Sequence, residues 1–166
     1  ELACFIRFAG CNLACGYCDT KWANEPQVPY KSMSAEEIYA YIKSCGVKNV
    51  TLTGGEPLIQ PEIEWLITLL SADKALRVEI ETNGSYKLPD SGMEQFMRTE
   101  NYAWLKPQDA VKFVVSSTRD LETAKKIIET YDLCAKATVY LSSAFSAITP
   151  AQIVEYMIQE NMKDVR

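Results

Sequence analysis

Short apolar runs alternate with longer amphipathic segments along the chain, and this alternation limits the available folds more than any other feature. Strands that alternate with helices imply right-handed βαβ units around a parallel sheet. We therefore expect an α/β fold, and more specifically an open, partial (β/α) barrel with a mainly parallel sheet rather than a closed eight-stranded one. The apolar runs that predict strands are 2–8, 49–53, 77–82, 111–115 and 137–141.

Helical spacing of apolar residues, together with start signals, predicts the intervening helices. Ser34 and Glu37 form a capping box, and Thr149-Pro150 places an N-cap and an N1 proline at the head of the last helix. Val165-Arg166 has the character of a further strand that is just beginning. The predicted helices are 34–45, 61–72, 92–99, 119–131 and 150–161.

Polar clusters follow several of the predicted strands directly. In parallel α/β barrels the chemistry lies at the carboxyl ends of the strands, so these clusters mark the expected site. They are the cysteine-rich segment 11–18, Gly54-Gly55-Glu56-Pro57, the segment 81–84 and Ser142-Ser143.

Cys11, Cys15 and Cys18 are the strongest chemical signal in the sequence. Three thiolates on one short loop can bind three irons of a [4Fe–4S] cubane and leave the fourth iron open to a chelating substrate. Structural zinc is the alternative, but it needs four ligands, and the chain has no histidine and no second Cys-x-x-Cys pair. The other cysteines, Cys4, Cys45 and Cys134, are expected to be ordinary buried thiols.

Gly54-Gly55-Glu56-Pro57 comes at the end of a predicted strand. Two glycines allow the backbone to approach a ligand closely, and a carboxylate held by the following proline can accept a hydrogen bond from an ammonium group. This short motif becomes specific only in combination with the cysteine loop upstream.

Charge and hydropathy exclude two classes of partner from the expected function. The net charge is −5, and the 17 basic residues are scattered, so no basic surface for nucleic acid is expected. No apolar run reaches the length of about 20 residues that a membrane helix needs, and we expect no signal peptide. We expect a cytoplasmic protein.

The longer strings around these motifs resemble one enzyme family. The chain resembles the 7-carboxy-7-deazaguanine synthases, radical S-adenosylmethionine (SAM) enzymes of queuosine and deazapurine biosynthesis, over most of its length and most densely over residues 5–60. The strings that carry the resemblance are Phe5-Ile-Arg7-Phe-Ala-Gly10-Cys-Asn12-Leu, Tyr17-Cys-Asp19-Thr20, Thr53-Gly-Gly-Glu-Pro-Leu58 and Glu81-Thr-Asn-Gly84.

The resemblance implies a lyase that converts 6-carboxy-5,6,7,8-tetrahydropterin to 7-carboxy-7-deazaguanine with release of ammonia, by way of a 5′-deoxyadenosyl radical. It also implies a [4Fe–4S] cluster, SAM and Mg²⁺ as cofactors, an electron donor such as flavodoxin or ferredoxin, and a homodimer. An activating enzyme that installs a glycyl radical on a partner protein shares the three-cysteine loop and remains the alternative enzyme. A zinc-stabilised binding module is the alternative from another class.

Position by position, the resemblance predicts the site residues. The cysteines correspond to cluster ligands, Thr20 to a Mg²⁺ ligand, and Arg7, Thr53 and Gly54 to substrate-binding positions. The strand pattern agrees with the assignment of Arg7, because it places this side chain on the face opposite Ile6. The positions predicted to contact SAM are Tyr17, Cys18, Asp19, Gly55, Glu56, Asn83, Lys87, Ser142 and Ser143.

We expect residues 1–166 to form a single radical SAM domain. The family carries a Gly-Glu-Gly-type segment before the first strand and a histidine on a late strand, and neither occurs in this sequence. The resemblance therefore predicts that short segments are absent at both ends, and that a segment could also be absent after Ser85.

Overall fold

Three of the predicted strands pair in parallel in the computed structural model, which describes residues 1–86, 102–103 and 105–166. They are β1 (Ala3–Phe8), β2 (Asn49–Gly54) and β3 (Arg77–Ile80), and β2 lies in the centre. The connections run through α1 (Ala35–Ser44) and α2 (Ile63–Ala72). These elements belong to the first of two units into which the chain divides, Glu1–Arg98 and Thr99–Arg166.

The helices cover one face of this sheet and form an apolar core with it. Leu52 of β2 and Ile67 of α2 are completely buried, and Cys4 of β1 belongs to the same cluster. Ile6 and Phe8 pack against it, whereas Phe5 and Arg7 point away and are exposed. The predicted alternation of β1 side chains is therefore confirmed.

The second unit contains a parallel pair of strands, β4 (Ala110–Val115) and β5 (Thr138–Ser143). Helices α3 (Thr118–Tyr131) and α4 (Pro150–Gln159) complete it, and Val115, Leu121 and Ile153 are among its buried residues. Val165 forms a parallel bridge with Val139, which confirms the predicted strand character at the end of the sequence.

Two helix starts follow the predicted capping chemistry closely. Ser34 accepts from the Glu37 backbone N–H while the Glu37 side chain accepts from Ser34, and Thr149 and Gln152 form the same reciprocal pair at α4. The start of α2 differs from the prediction of Pro61. Glu62 has a left-handed backbone with φ of 59°, so the helix can begin only at Ile63.

Among the three cysteines outside the loop, the prediction of burial holds for Cys4 and is wrong for Cys45. Cys45 is the C-cap of α1 and is exposed there, with its sulfur 3.6 Å from that of Cys4. Cys134 is half-buried. Burial raises the pKa of the Cys4 thiol to about 11.

The predicted helix at 92–99 and Lys87 lie outside the described residues. Of the helices in the described ranges, none is both long and apolar enough to cross a bilayer.

Candidate active site

The first three strands bring their following loops to one edge of the sheet. Arg7 is level with Thr53, Phe8 with Gly54, and Leu52 with Ile80, so the strands end at nearly the same height. The cysteine loop, the Gly-Gly-Glu-Pro segment and the segment 81–84 therefore meet at this edge, as predicted for a parallel sheet.

The first two of these loops touch through their main chains. The Gly55 N–H donates to the Phe8 carbonyl at 2.8 Å, and the Glu56 N–H donates to the Gly10 carbonyl at 2.8 Å. A Cβ on Gly55 would overlap the Gly10 carbonyl, and a Cβ on Gly54, where φ is 111°, would overlap the Phe8 backbone. These glycines were predicted to let backbone approach a ligand. In the structure they also let backbone approach backbone.

The cysteine loop is tied down on both sides of its three thiols. The Gly10 N–H donates to the carbonyl of Ala23, a buried residue in a short 3-10 helix (Lys21–Asn24) that the sequence did not predict. The Cys18 N–H donates to the Cys15 carbonyl at 3.1 Å. All three thiols are half-buried and free of disulfides, as metal-ligating thiols must be.

The donor set of this loop fits an iron–sulfur cluster better than a single metal ion. Within the described ranges, no group of three or more cysteine or carboxylate side chains is arranged to hold one ion. A cubane cluster does not need the three thiols to converge on one ion, because each thiolate binds a separate iron. The Cys11 sulfur accepts from the Leu13 N–H at 3.4 Å and lies 3.5 Å from the Asn83 side-chain nitrogen, and such donors favour a sulfur that carries negative charge.

Glu56, predicted to contact SAM, has a completely buried side chain. Its Oε1 accepts from the Leu58 N–H at 3.0 Å and from the Thr82 hydroxyl at 2.7 Å, and its Oε2 accepts from the Asn83 N–H at 2.7 Å. The carboxylate thus joins the loop after β2 to the loop after β3. The predicted contact with an ammonium group stays a prediction.

Asn83 belongs to a polar ring that reaches the cysteine loop. Its Nδ2 donates to Asn12 Oδ1 at 3.0 Å, and Asn12 Nδ2 donates to the Ser85 hydroxyl at 2.8 Å. Ser85 closes the ring, because its N–H and its hydroxyl both donate to Asn83 Oδ1.

The predicted substrate positions Arg7, Thr53 and Gly54 follow one another across β1 and β2. Arg7 is exposed on the face opposite the helices. Thr53 is buried, and its hydroxyl donates to Glu81 Oε2 at 2.6 Å. An exposed guanidinium beside a buried threonine and a carboxylate can recognise a polar ligand that carries its own carboxylate.

Thr20, the predicted Mg²⁺ ligand, lies beside two other predicted residues. Its hydroxyl donates to Asp19 Oδ1 at 3.1 Å and is 3.7 Å from the Cys18 sulfur. Oxygen ligands of this kind suit Mg²⁺. Tyr17, in the same loop, is 51% exposed.

Ser142 and Ser143 end β5 in the second unit, opposite Val114 and Val115 of β4, so they too follow the expected strand-end rule. Lys87 is outside the described residues. Sequence reasoning gave no role to Asn12, Glu81, Thr82 or Ser85. Residues 81–85 follow a predicted strand, and this position indicated that they lie at the site. It does not indicate which side chains of neighbouring loops form hydrogen bonds with one another.

Comparisons with known proteins agree with this arrangement. A family model for the Radical SAM superfamily matches residues 5–140. The chain is 52% identical to a 7-carboxy-7-deazaguanine synthase of Clostridium acetobutylicum, over 99% of this chain and 83% of the relative. It is 33% identical to one of Methanospirillum hungatei, over 95% of this chain and 70% of that relative.

Solved structures show the same fold. The crystal structure of QueE from Escherichia coli matches with a TM-score of 0.67 at 22% identity, over 96% of this chain and 82% of that one. Streptococcus suis SuiB bound to S-adenosylmethionine matches with a TM-score of 0.54 at 14% identity, over 96% of this chain and 45% of that one. The expected α/β architecture with parallel strands is confirmed.

Proposed function

The chain belongs to the 7-carboxy-7-deazaguanine synthase family of the radical SAM superfamily, and on this premise we propose that it converts 6-carboxy-5,6,7,8-tetrahydropterin to 7-carboxy-7-deazaguanine and ammonia. Family membership confirms the predicted radical SAM enzyme class and its use of a [4Fe–4S] cluster and SAM. The observation that carries the specific proposal is the 52% identity over nearly the whole chain, in a molecule whose cysteine loop is hydrogen-bonded into the strand-end site.

Cys11, Cys15 and Cys18 would hold the cluster, which when bound supplies the electron that cleaves SAM to a 5′-deoxyadenosyl radical. The protein's own contribution is to fix the loop that carries these thiols. The Gly10–Glu56 and Gly10–Ala23 hydrogen bonds do so from both sides. Positioning of this kind is what a protein adds to chemistry that belongs to the cofactor.

Residues around the loop are proposed to bind SAM and the metal. The residues in or against the cysteine loop are Tyr17, Cys18, Asp19 and Gly55. The adenine contact is proposed for Tyr17 from the resemblance. Asn83 and Glu56 border the same edge, and Lys87, Ser142 and Ser143 are proposed from the resemblance alone. Thr20 would offer its hydroxyl to Mg²⁺, which prefers oxygen ligands.

Recognition of the substrate is proposed for Arg7, Thr53 and Gly54. The Arg7 guanidinium is exposed and can form two parallel hydrogen bonds to the pterin carboxylate. Thr53 keeps its hydroxyl directed at Glu81 and so has a defined orientation before substrate arrives. Gly54 contributes backbone, since its conformation leaves no room for a side chain.

We also propose that the protein works in the cytoplasm as a homodimer, with a small electron-transfer protein such as flavodoxin or ferredoxin as the reductant. The glycyl-radical activase is the less supported alternative, because the relatives at 52% and 33% identity are both named as the synthase. The zinc module is set aside, because a radical SAM family model covers residues 5–140.

The test is turnover by anaerobically reconstituted protein. Protein with cluster, SAM, a strong reductant and Mg²⁺ is mixed with 6-carboxytetrahydropterin, and chromatography with mass detection follows the deazapurine and ammonia. We expect the product to appear only when all components are present. An Arg7→Ala variant that binds SAM normally should lose most of the turnover at limiting substrate.

A protein that cleaves SAM but leaves the pterin unchanged would refute the substrate assignment and retain the radical SAM assignment. Omission of Mg²⁺ tests the metal proposal independently of the substrate assignment and the radical SAM assignment. It should reduce turnover without removing the cluster's absorbance.

A further inference from the structure

The side chain of Glu56 is the least exposed carboxylate among the described residues, at 0%. A buried carboxylate is unfavourable unless hydrogen bonds replace its hydration. Its donors are the Leu58 N–H, the Thr82 hydroxyl and the Asn83 N–H. Groups of the protein therefore replace the hydration of the Glu56 carboxylate.

These donors lie on two loops, and the second loop is the one that Glu56 orders. Thr82 and Asn83 both follow β3, and the Thr82 hydroxyl in turn accepts from the Gly84 N–H at 3.0 Å. The carboxylate consequently sets the position of the backbone at 82–84 relative to the end of β2. Charge-assisted hydrogen bonds of this kind are about twice as strong as neutral ones.

The backbone position of Asn83 determines where its amide points. Its Oδ1 accepts from the Ser85 N–H at 2.9 Å and the Ser85 hydroxyl at 2.6 Å, so its Nδ2 is the atom that faces the cysteine loop. Nδ2 lies 3.5 Å from the Cys11 sulfur and 3.0 Å from Asn12 Oδ1. A chain of contacts therefore runs from a buried carboxylate to a sulfur of the cysteine loop.

We propose that Glu56 is a positioning residue that holds Asn83 so that its amide donates a hydrogen bond to the Cys11 sulfur and raises the reduction potential of the bound cluster. The inference rests on the proposed function in one respect, that Cys11, Cys15 and Cys18 bind the cluster. Reduction adds negative charge to the cluster and its sulfurs, so a donor directed at Cys11 stabilises the reduced state.

This role does not require a direct contact between the Glu56 carboxylate and SAM. The carboxylate is buried and both of its oxygens already accept from the chain. Glu56 then acts through Asn83, and its effect should be visible in a property of the cluster measured without SAM.

The experiment is a redox titration followed by electron paramagnetic resonance on reconstituted protein, without SAM or substrate. Asn83→Ala should lower the midpoint potential, because the side-chain donor is gone. Glu56→Gln removes the acceptor of the Asn83 N–H together with a buried negative charge, and loss of that charge by itself raises the potential, so the effect of Glu56 is measured as coupling to Asn83→Ala. Asn83→Ala should therefore lower the potential less in the Glu56→Gln background than in wild type, since both substitutions act on one hydrogen bond.

Glu62→Gln is the matched control. Glu62 Oε2 also accepts a backbone N–H, that of Ala35 at 3.1 Å, but joins the starts of α2 and α1 rather than the loops after β2 and β3. This variant should leave the potential unchanged even if the melting temperature falls. Thr82→Val provides a milder change at Glu56, removes one of its donors and should give a smaller downward shift.

An unchanged potential in Asn83→Ala would overturn the proposal. An Asn83→Ala shift that is equally large in wild type and in the Glu56→Gln background, with no shift in Thr82→Val, would overturn the part assigned to Glu56. If Glu56→Gln does not fold, Thr82→Val and Asn83→Ala decide the matter. Wild-type protein that assembles no cluster would refute the proposed function as well, whereas normal turnover by wild type with unshifted variants would refute only this inference.

Discussion

The helix-covered face of the first sheet and its carboxyl edge are built on opposite principles. On the face, Leu52, Leu66 and Ile67 are buried in an apolar cluster whose cohesion has no preferred direction. At the edge, Thr53 and Glu56 are buried and form directional hydrogen bonds with residues of the loop after β3. The apolar core on the helix-covered face stabilises the fold of the unit, and the hydrogen bonds at the carboxyl edge fix the positions of its loops. Substitutions in the two regions should therefore separate stability from function.

Cys15→Ala should give the largest functional effect. Only two thiols would remain in the loop, too few to hold the cubane, so no product above background is expected. The loop's backbone hydrogen bonds are retained, and the melting temperature of the cluster-free protein should stay close to that of cluster-free wild type. Iron content, absorbance near 400 nm and product assays measure this. A full iron complement in the variant would contradict the assignment of the cluster.

Leu66→Ala should give the largest effect on stability. Leu66 is 2% exposed within the core cluster, and its truncation should lower the free energy of unfolding by about 2–5 kcal/mol. Urea unfolding measures the loss. The fraction that remains folded should bind SAM with unchanged affinity. If Leu66→Ala lowered the free energy of SAM binding as much as the free energy of unfolding, the apolar core and the carboxyl edge would not act independently.

Gly55→Ala should affect both properties, because the residue is the point where two loops touch. The added methyl group would overlap the Gly10 carbonyl, and the loops must separate to admit it. Overpacking of this kind costs about 1–3 kcal/mol. We expect lower stability together with weaker SAM binding, both measured on the same preparation. Gly16→Ala is a control for the stability of the cluster-free protein only, since no protein atom lies within 4 Å of its added methyl.

Arg7→Lys should affect substrate recognition with little effect on stability. Arg7 is exposed, and lysine keeps the charge but cannot form the two parallel bonds of a guanidinium. Loss of one charge-assisted bond should raise KM for the pterin by about tenfold. Steady-state kinetics at saturating SAM measure this. An unchanged KM would remove Arg7 from the substrate site.

The smallest effect is expected at Asp73, behind the helix-covered face. The Lys43 ammonium, the Ala75 N–H and the Tyr39 hydroxyl lower the pKa of the Asp73 carboxyl from 3.8 to about 2. The resulting stabilisation is complete above pH 3.8 and is lost as the pH falls toward 2. Asp73→Asn should therefore lower the melting temperature slightly at pH 7, and the difference from wild type should shrink below pH 4. A difference that is independent of pH would contradict this explanation.

Features that depend on neighbouring residues in the sequence were predictable in this chain. The capping box of Ser34 and Glu37 sets the start of α1, and the alternation of β1 puts Arg7 and Ile6 on opposite faces. The strand-end rule then placed the cysteine loop, Gly55 and Asn83 at one edge, because parallel strands end together.

Features that depend on loops meeting in space could not be predicted. The pattern around Glu56 is equally compatible with a carboxylate that faces a ligand, and only the fold brings Thr82 and Asn83 to it. Glu62 could not be foreseen as left-handed, because glutamate has no preference for that conformation. The predicted burial of Cys45 failed because its position as a helix C-cap overrode the general behaviour of free cysteine.

The close approach of Gly10 and Gly55 has a consequence for engineering this enzyme. Because the spacing between the two loops is set by main-chain atoms, it does not change when nearby side chains are exchanged. A library that varies Arg7 and Thr53 to admit other carboxylated heterocycles could therefore leave the geometry of the sulfur-bearing loop intact. New substrates could then be tested while the distance between the loops that carry Gly10 and Gly55 stays the same.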